Sequence, residues 1–304
     1  MFSKILSLLL LLLSFSYAIE PITPLPTTLN LDEKKVQLGQ KLFFDTRLSK
    51  DDSIACVSCH FLNDGGDDNA KFATGINGKM GNINTPTVFN THFNFVQFWN
   101  GRAKNLHEQA KGPIENPLEM GNDLKTLLPK LKKTEYDALF KALYPQGLNE
   151  DSLQDALAQF GASLITPNAP FDRYLKGDSS AISDEQKKGY ALFKTKGCIA
   201  CHHGINVGGN HYNKFGLLKD AASDSLGRFE VTQNERDKYF FKVPSLRNIE
   251  HTAPYLHDGS MQTIEETVRF MASHQLGRFI SDEEIGFIVS FLKSLSGELP
   301  AHVR

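Results

Sequence analysis

The sequence has four cysteines among 304 residues, and none lies outside two short segments, SIACVSCH at 53–60 and GCIACH at 197–202. Four cysteines allow three disulfide connectivities, too few for a framework spread along the chain. Tryptophan is nearly absent: Trp99 stands alone against twenty-two phenylalanines. Charge of one sign is lacking too, since the formal net charge is −2. That is not the balance of a nucleic-acid binder. Few stretches alternate apolar and polar residues at a period of two, which argues against a large sheet. Long apolar runs are missing except at the start. Residues 1–18, MFSKILSLLLLLLSFSYA, hold one early cation, Lys4, an apolar run from Ile5 to Leu13, and a small-x-small ending at Ser16-Tyr17-Ala18. This is the pattern of a cleavable secretory signal. The run is short of the roughly 20 apolar residues that cross a bilayer. The expectation is a mature chain from residue 19, exported, with no membrane span.

Both cysteine pairs read C-x-x-C, and a histidine follows each directly: Cys56, Cys59, His60 and Cys198, Cys201, His202. A zinc ribbon keeps its pairs about 15–20 residues apart, whereas these pairs lie in opposite halves of the chain. A thioredoxin-like redox pair needs neither the histidine nor a second copy. C-x-x-C-H is the attachment signal of c-type haem. Two thiols bond the two vinyl groups of one porphyrin, and the next imidazole reaches the iron from the proximal side. The motifs predict two covalently bound haem c groups, with His60 and His202 as proximal ligands.

The flanks of the motifs also repeat. GQKLFFD precedes the first, with Gly39, Leu42 and Phe43, and GYALFKT precedes the second, with Gly189, Leu192 and Phe193. The shared G-x-x-L-F has helical spacing. Asp32 and Ser183 are placed as N-caps, and Ser183 with Gln186 approximates a capping box. Each half closes on an amphipathic stretch, LQDALAQFGASLI and SDEEIGFIVSFLKSL, whose apolar steps of three and four read as helices. A Pro-rich, then polar connection, TPNAPFDRYLKGDSS, separates the halves. The expected fold is mainly α, with two cytochrome c-like domains at 19–176 and 177–304. Each is wrapped around one covalent haem, with long loops.

The sixth iron ligand separates an electron carrier from a site that takes a small oxidant. Four methionines follow the signal: Met80, Met120, Met261 and Met271. A His/Met haem has a raised potential, which suits relaying electrons. Spacing alone does not choose between Met261 and Met271.

Two further stretches, NTPTVFNTHFNFVQFWNGRAKNLHEQAKGPIENPLEMG and VPSLRNIEHTAPYLHDGS, resemble the bacterial dihaem cytochrome c peroxidases. The similarity runs from about residue 30 to the C-terminus, and the tryptophylquinone-forming dihaem enzymes share these segments. The resemblance implies that the first haem is the low-potential peroxide site and the second the high-potential site that receives electrons. It places Met271 as the second haem's axial ligand, where the tryptophylquinone-forming enzymes carry tyrosine. It places Trp99 between the haems and makes Gln109 and Glu119 the peroxide-site pair. Glu119 then acts as general base and afterwards as acid, with Glu115 as a neighbouring competitor. Asn84, Thr252 and Pro254 match a calcium site between the domains, built of neutral oxygens. His257 is expected close to a haem without ligating it. His92, His107, His203, His211, His251, His274 and His302 take structural or solvated roles. Lys187, Lys188, Lys194 and Lys196 form a solvated face beside the second motif.

One departure from the family matters. Many of these peroxidases cap the resting peroxide haem with a distal histidine in the loop after the first C-x-x-C-H. The matching position is Ile76, and residues 61–86 contain no histidine. Isoleucine cannot ligate iron, so an open first haem is expected, with Met80 in the same Gly-rich loop or a more distant histidine as the competing sixth ligand.

The sequence therefore implies a periplasmic dihaem peroxidase. It would reduce hydrogen peroxide with electrons from a small reduced cytochrome c or a similar carrier; a homodimer is left open. The alternatives are a dihaem electron carrier with little peroxidase activity and a dihaem oxidase of another protein.

Overall fold

The computed structural model describes residues 20–303, so the signal assigned to residues 1–18 lies outside the described residues. Ten α-helices form among them: α1 (Glu33–Phe43), α2 (Leu106–Glu115), α3 (Leu124–Leu131), α4 (Tyr136–Leu143), α5 (Glu150–Ser163), α6 (Pro170–Leu175), α7 (Asp184–Lys196), α8 (Phe229–Thr232), α9 (Ile264–His274) and α10 (Asp282–Lys293). Two three-residue strands, β1 (Tyr212–Lys214) and β2 (Phe240–Lys242), pair antiparallel. Long loops and short 3₁₀ turns join these elements.

The helix ends follow from the sequence. Asp32 caps α1 by accepting from the N–H groups of Lys34 and Lys35. Ser183 and Gln186 close a reciprocal capping box on α7. Such caps satisfy N–H groups that the first turn leaves without partners. The same device starts α9 through Thr263 and Glu266, and α10 through Ser281 and Glu284.

The two halves are built on one plan. Helix α1 packs on α5, and α7 packs on α10. A Cβ on Gly39 would overlap the Ala156 carbonyl oxygen and lie 2.7 Å from Phe160 Cβ. A Cβ on Gly189 would overlap the Phe287 carbonyl oxygen and lie 2.9 Å from Phe291 Cβ. Only glycine lets these backbones meet. Phe43, from the same G-x-x-L-F, stands 5.1 Å from the Phe160 ring and 6.3 Å from His60. Phe193 repeats this at 5.1 Å from Phe291 and 6.5 Å from His202. In each half the glycine sets the helix crossing, and the phenylalanine carries that contact to the motif histidine.

The first core gathers Leu38, Leu42, Leu127, Tyr136, Phe140 and Leu153. The second gathers Tyr190, Phe193, Ile285, Ile288, Phe291 and Leu292. Phe171, Tyr174 and Leu175 of α6 pack in the second core, just ahead of the division drawn at Lys176. The chain ends cross over. Ile22 packs in the second core and bridges to Gly204, while Leu299 and Val303 pack beside Phe43 and Phe160 of the first half.

A fully buried ion pair bolts this crossing. Arg247 donates to both Asp172 oxygens at 2.9 and 3.0 Å, to Ile205 O at 2.6 Å and to Thr23 O at 3.1 Å. Removing one partner of such a pair typically costs about 3–5 kcal/mol, because the other charge is stranded. Between the halves, Asn90, Thr166 and Asn248 exchange buried hydrogen bonds of 2.8–2.9 Å.

Candidate functional site

Helix α7 ends at Gly197, whose φ of +104° turns the chain into a 3₁₀ turn over Cys198–Ala200. The His202 N–H donates back to Cys198 O at 3.0 Å. This one tight turn brings Cys198, Cys201 and His202 into the lining of a single cavity. Phe193, Phe241, Ile288 and Leu292 contribute apolar wall, and Met271 lines the same cavity from α9. Met261 is not among the lining residues; its backbone pairs with Tyr255. The Nδ1 of His202 faces Val207 O at 3.4 Å. Burial lowers the His202 pKa to about 4. The ring is therefore neutral at physiological pH, and Nε2 keeps a lone pair for a metal.

The first motif folds in the same way. Cys56–Ser58 is a 3₁₀ turn, and the His60 N–H donates to Cys56 O at 3.1 Å. The His60 Nδ1 lies 2.9 Å from Gly66 O, and burial lowers the pKa of the ring. This contact orients the imidazole and leaves the Nε2 lone pair free for a metal. All four cysteines are free and half-buried. Burial pushes Cys56 up to about 12 and Cys59 and Cys198 up to about 11. Thiols held protonated in this way do not suit a thiolate redox centre.

Glu119 stands in the loop after α2. That loop folds tightly, with the N–H groups of Glu119 and Gly121 both donating to Asn116 O, at 3.0 and 2.9 Å. Asn116 Nδ2 donates to Glu119 Oε1 at 2.6 Å. The carboxyl is half-buried, and its pKa is raised. Burial is the largest cause, opposed by the Asn116 hydrogen bond and the Arg102 charge. The Glu119 charge also adds to the raised pKa values of Cys56 and Cys59, so it faces the first motif. Glu115 differs: it is exposed and lies 3.8 Å from Lys111. Gln109 is half-buried on α2, and its side-chain amide makes no hydrogen bond among the described residues.

Ile76 sits in a loop clasped to the Glu119 segment. Its N–H donates to Glu119 O at 2.7 Å, and its side chain is buried. A Cβ on Gly121 would lie 3.1 Å from Ile76 Cγ2. Gly121 has φ of +57°, so the close packing and the left-handed backbone both call for glycine there. The loop closes on itself through Gly75 N to Lys79 O at 2.8 Å and Gly81 N to Ala73 O at 2.9 Å. Met80, at its far end, is 63% exposed.

Trp99 lines the cavity of the second motif and donates from Nε1 to Asn84 O at 3.0 Å. Asn84 in turn donates its backbone N–H to His257 O at 2.8 Å and its Nδ2 to Ala70 O at 3.0 Å. Asn84, Thr252 and Pro254 all lie along this cavity. The Asn84 Oδ1 accepts no hydrogen bond among the described residues. No group of three or more His, Cys, Asp or Glu side chains among them could hold a metal ion. A cation at Asn84 would therefore rest on neutral oxygens. His257 is buried, with its ring 4.2 Å from Phe241 and 6.2 Å from Trp99, and Nε2 2.7 Å from Ser223 Oγ. Of the lysines flanking the second motif, Lys187, Lys188 and Lys196 sit in ion pairs with Asp184, Glu283 and Glu284.

Comparison with known proteins fits both halves. Residues 33–180 match the family described as Di-haem cytochrome c peroxidase, and residues 186–296 match Cytochrome c. The chain is 46% identical over 286 residues to Cytochrome c peroxidase Ccp of Escherichia coli, covering 91% of this chain and 61% of that protein. It is 44% identical over 287 residues to Cytochrome c551 peroxidase of Nitrosomonas europaea, covering 92% of this chain and 85% of the relative. The chain belongs to the dihaem cytochrome c peroxidase family. A solved MauG-like protein associated with microbial copper homeostasis shares the fold, with a TM-score of 0.78 at 23% identity, covering 91% of this chain and 93% of the other.

Within this peroxidase fold, three residues went unnoticed in the sequence. Arg247 lies inside the quoted VPSLRNIEH segment, but its partner Asp172 is 75 positions away. Asp67 is 1% exposed, and its Oδ1 has no hydrogen-bond partner. Lys242 is buried along the second cavity. Neither spacing nor periodicity marks any of them. The available signal is a charged residue within an apolar strand run, FFKV, at 240–243. No described helix is long and apolar enough to cross a membrane.

Proposed function

We propose that this protein is a periplasmic dihaem peroxidase, with Glu119 and Gln109 at the peroxide site and Met271 at the electron-accepting site. It takes one hydrogen peroxide, two electrons from a small reduced cytochrome c or similar carrier, and two protons, and yields two waters. The observation that carries this reading is Glu119, a half-buried carboxyl of raised pKa whose charge acts on both cysteines of the first motif. A carrier has no use for a proton acceptor at that place.

Both motifs fit haem c: each offers paired thiols and a neutral, oriented imidazole, and the second opens on an apolar cavity. Haem, when bound, supplies redox-active iron at each site. His60 and His202 would each hold an iron, and Met271 would be a further ligand at the second site. Glu119 would take up and return the protons of the peroxide, in the role of base and then acid. Gln109 supplies a neutral amide to hold the substrate. Trp99, joined to Asn84 and beside His257, forms the aromatic route between the halves. Asn84 Oδ1 and the carbonyl oxygens of Thr252 and Pro254 fit one calcium ion with water in its remaining positions.

Ile76 offers no ligand, and its buried side chain and its hydrogen bond to Glu119 O keep the loop fixed. The first haem would therefore receive no ligand from this loop position, and it would need no reductive step to free it from one. The test is the spectrum of the oxidised protein, followed by one equivalent of peroxide. A high-spin component that peroxide consumes supports the reading. A wholly low-spin, unreactive oxidised protein would sink it.

A further inference from the structure

Lys242 is a cation without an anion. It ends β2, is 6% exposed, and lines the cavity that also holds Cys198, Cys201, His202 and Met271. Its backbone is fixed on two sides: it pairs with Tyr212 across the strands, and its N–H donates to Trp99 O at 2.8 Å. Among the described residues, its ammonium has no ion-pair partner and no hydrogen-bond acceptor. Burial is the sole cause that lowers its pKa, to about 8. No carboxylate among the described residues acts against that effect.

A buried ammonium with no counter-charge costs several kcal/mol, and buried charges in proteins are paired. The described residues supply no anion here, so the anion is taken to come with whatever fills the cavity. Haem c fits the thiols and imidazole on the same wall, and it carries two propionate carboxylates. We propose that Lys242 binds a propionate of the second haem and, by pairing with it, holds that haem's potential up. This rests on the two-haem reading above. The rival is a lysine that ligates the iron itself through its neutral amine. The paired state of the second site favours the propionate, because His202 and Met271 already supply two axial groups from the same cavity.

The electrostatic consequence has a definite sign. A propionate stabilises ferric iron, and a paired ammonium offsets that effect. Without the ammonium, the ferric form gains.

The test uses the holoprotein and its Lys242→Met, Lys242→Gln and Lys242→Arg variants. Haem content is measured first, as the pyridine adduct. Fewer than two haems in the unaltered protein would overturn the two-haem reading and this proposal with it. With two haems present, the second haem is titrated against electrode potential. Lys242→Met should raise its ferric-to-ferrous ratio about tenfold at fixed potential, a fall of about 59 mV. Lys242→Gln should act likewise, and Lys242→Arg should restore most of the difference. If neither neutral variant moves the ratio, or Lys242→Arg behaves like Lys242→Met, Lys242 does not act through its charge. A changed low-spin axial spectrum in the neutral variants would instead make Lys242 an iron ligand and overturn the proposal.

Discussion

Replacing Glu119 by glutamine isolates proton transfer from shape. The variant keeps an oxygen at the end of the side chain, so Asn116 Nδ2 can still donate to it as it does to Oε1 at 2.6 Å. The loop keeps its own anchors, since the bonds to Asn116 O and from Ile76 N–H to Glu119 O are made by the backbone. What disappears is basicity. General acid–base assistance is worth about 10²–10⁴-fold, or roughly 3–5 kcal/mol of barrier at 1.36 kcal/mol per decade. Turnover of Glu119→Gln should fall by that factor with both haems in place, followed as peroxide-dependent oxidation of a reduced cytochrome c. The pH profile should change as well. Burial raises the Glu119 pKa above its usual 4.5, and a base must be ionised to accept a proton. The acid limb of kcat/KM should therefore sit above pH 4.5 in the unaltered enzyme and vanish in the variant. Glu115→Gln is the control. Glu115 is exposed and paired only with Lys111, and such surface pairs contribute at most about 1 kcal/mol, so turnover should not move. Equal losses in the two variants, or none in Glu119→Gln, would refute this assignment.

Met271→Ala should abolish the low-spin His/Met signal of the second haem and lower its potential, whereas Met261→Ala, outside the cavity lining, should leave both unchanged; the reverse pattern would move the ligand to Met261. Asp67 is 1% exposed with an unpartnered Oδ1, and burial first, then neighbouring Asp68, raises its pKa from 3.8 to about 7. The folded state therefore holds this proton more tightly than the unfolded chain. Its stabilising effect is complete below pH 3.8 and is lost as pH rises through about 7. At 1.36 kcal/mol per unit, the loss is on the order of 4 kcal/mol. Asp67→Asn should gain on the unaltered protein between pH 4 and pH 8 in denaturation midpoints measured with a chelator present; a pH-independent difference would show that the carboxyl does not titrate in this window.

Much of the plan was legible because it is local. Asp32 and Ser183 precede their helices by one residue, and the G-x-x-L-F spacing puts Gly39 and Phe43, or Gly189 and Phe193, on adjacent turns. Each C-x-x-C-H fits within one turn. Contacts made across the fold were not legible. Glu115 ends α2 and Glu119 follows four residues later in the next loop, and they differ in burial, which depends on how the Ile76 loop closes over the segment. Arg247 reads as one more basic residue until the chain brings Asp172 and Thr23 to it. Lys242 interrupts an apolar run, a local signal, but its meaning depends on a cavity built from α7, α9 and α10.

The charges around the two motifs explain why one plan, used twice, gives two different sites. At the first motif, Asp68 and Glu119 act on the cysteines and Asp68 on His60, each favouring positive charge nearby. At the second, no carboxylate is among the charges that act on Cys198: after its partner Cys201 comes Arg278, which acts in the opposite sense, and Lys242 is buried in the cavity wall. Ferric iron in haem carries one more positive charge than ferrous. A negative surrounding therefore favours the oxidised state and lowers the potential, and a positive surrounding raises it. In the proposed arrangement the ligands would push the same way, since methionine raises the potential of a His-ligated haem and Ile76 offers no ligand to the first site. On that reading an electron arriving from a carrier would settle at the second site and would move to the first only when an oxidant there drew it, with Glu119 placed to manage the protons of that oxidant.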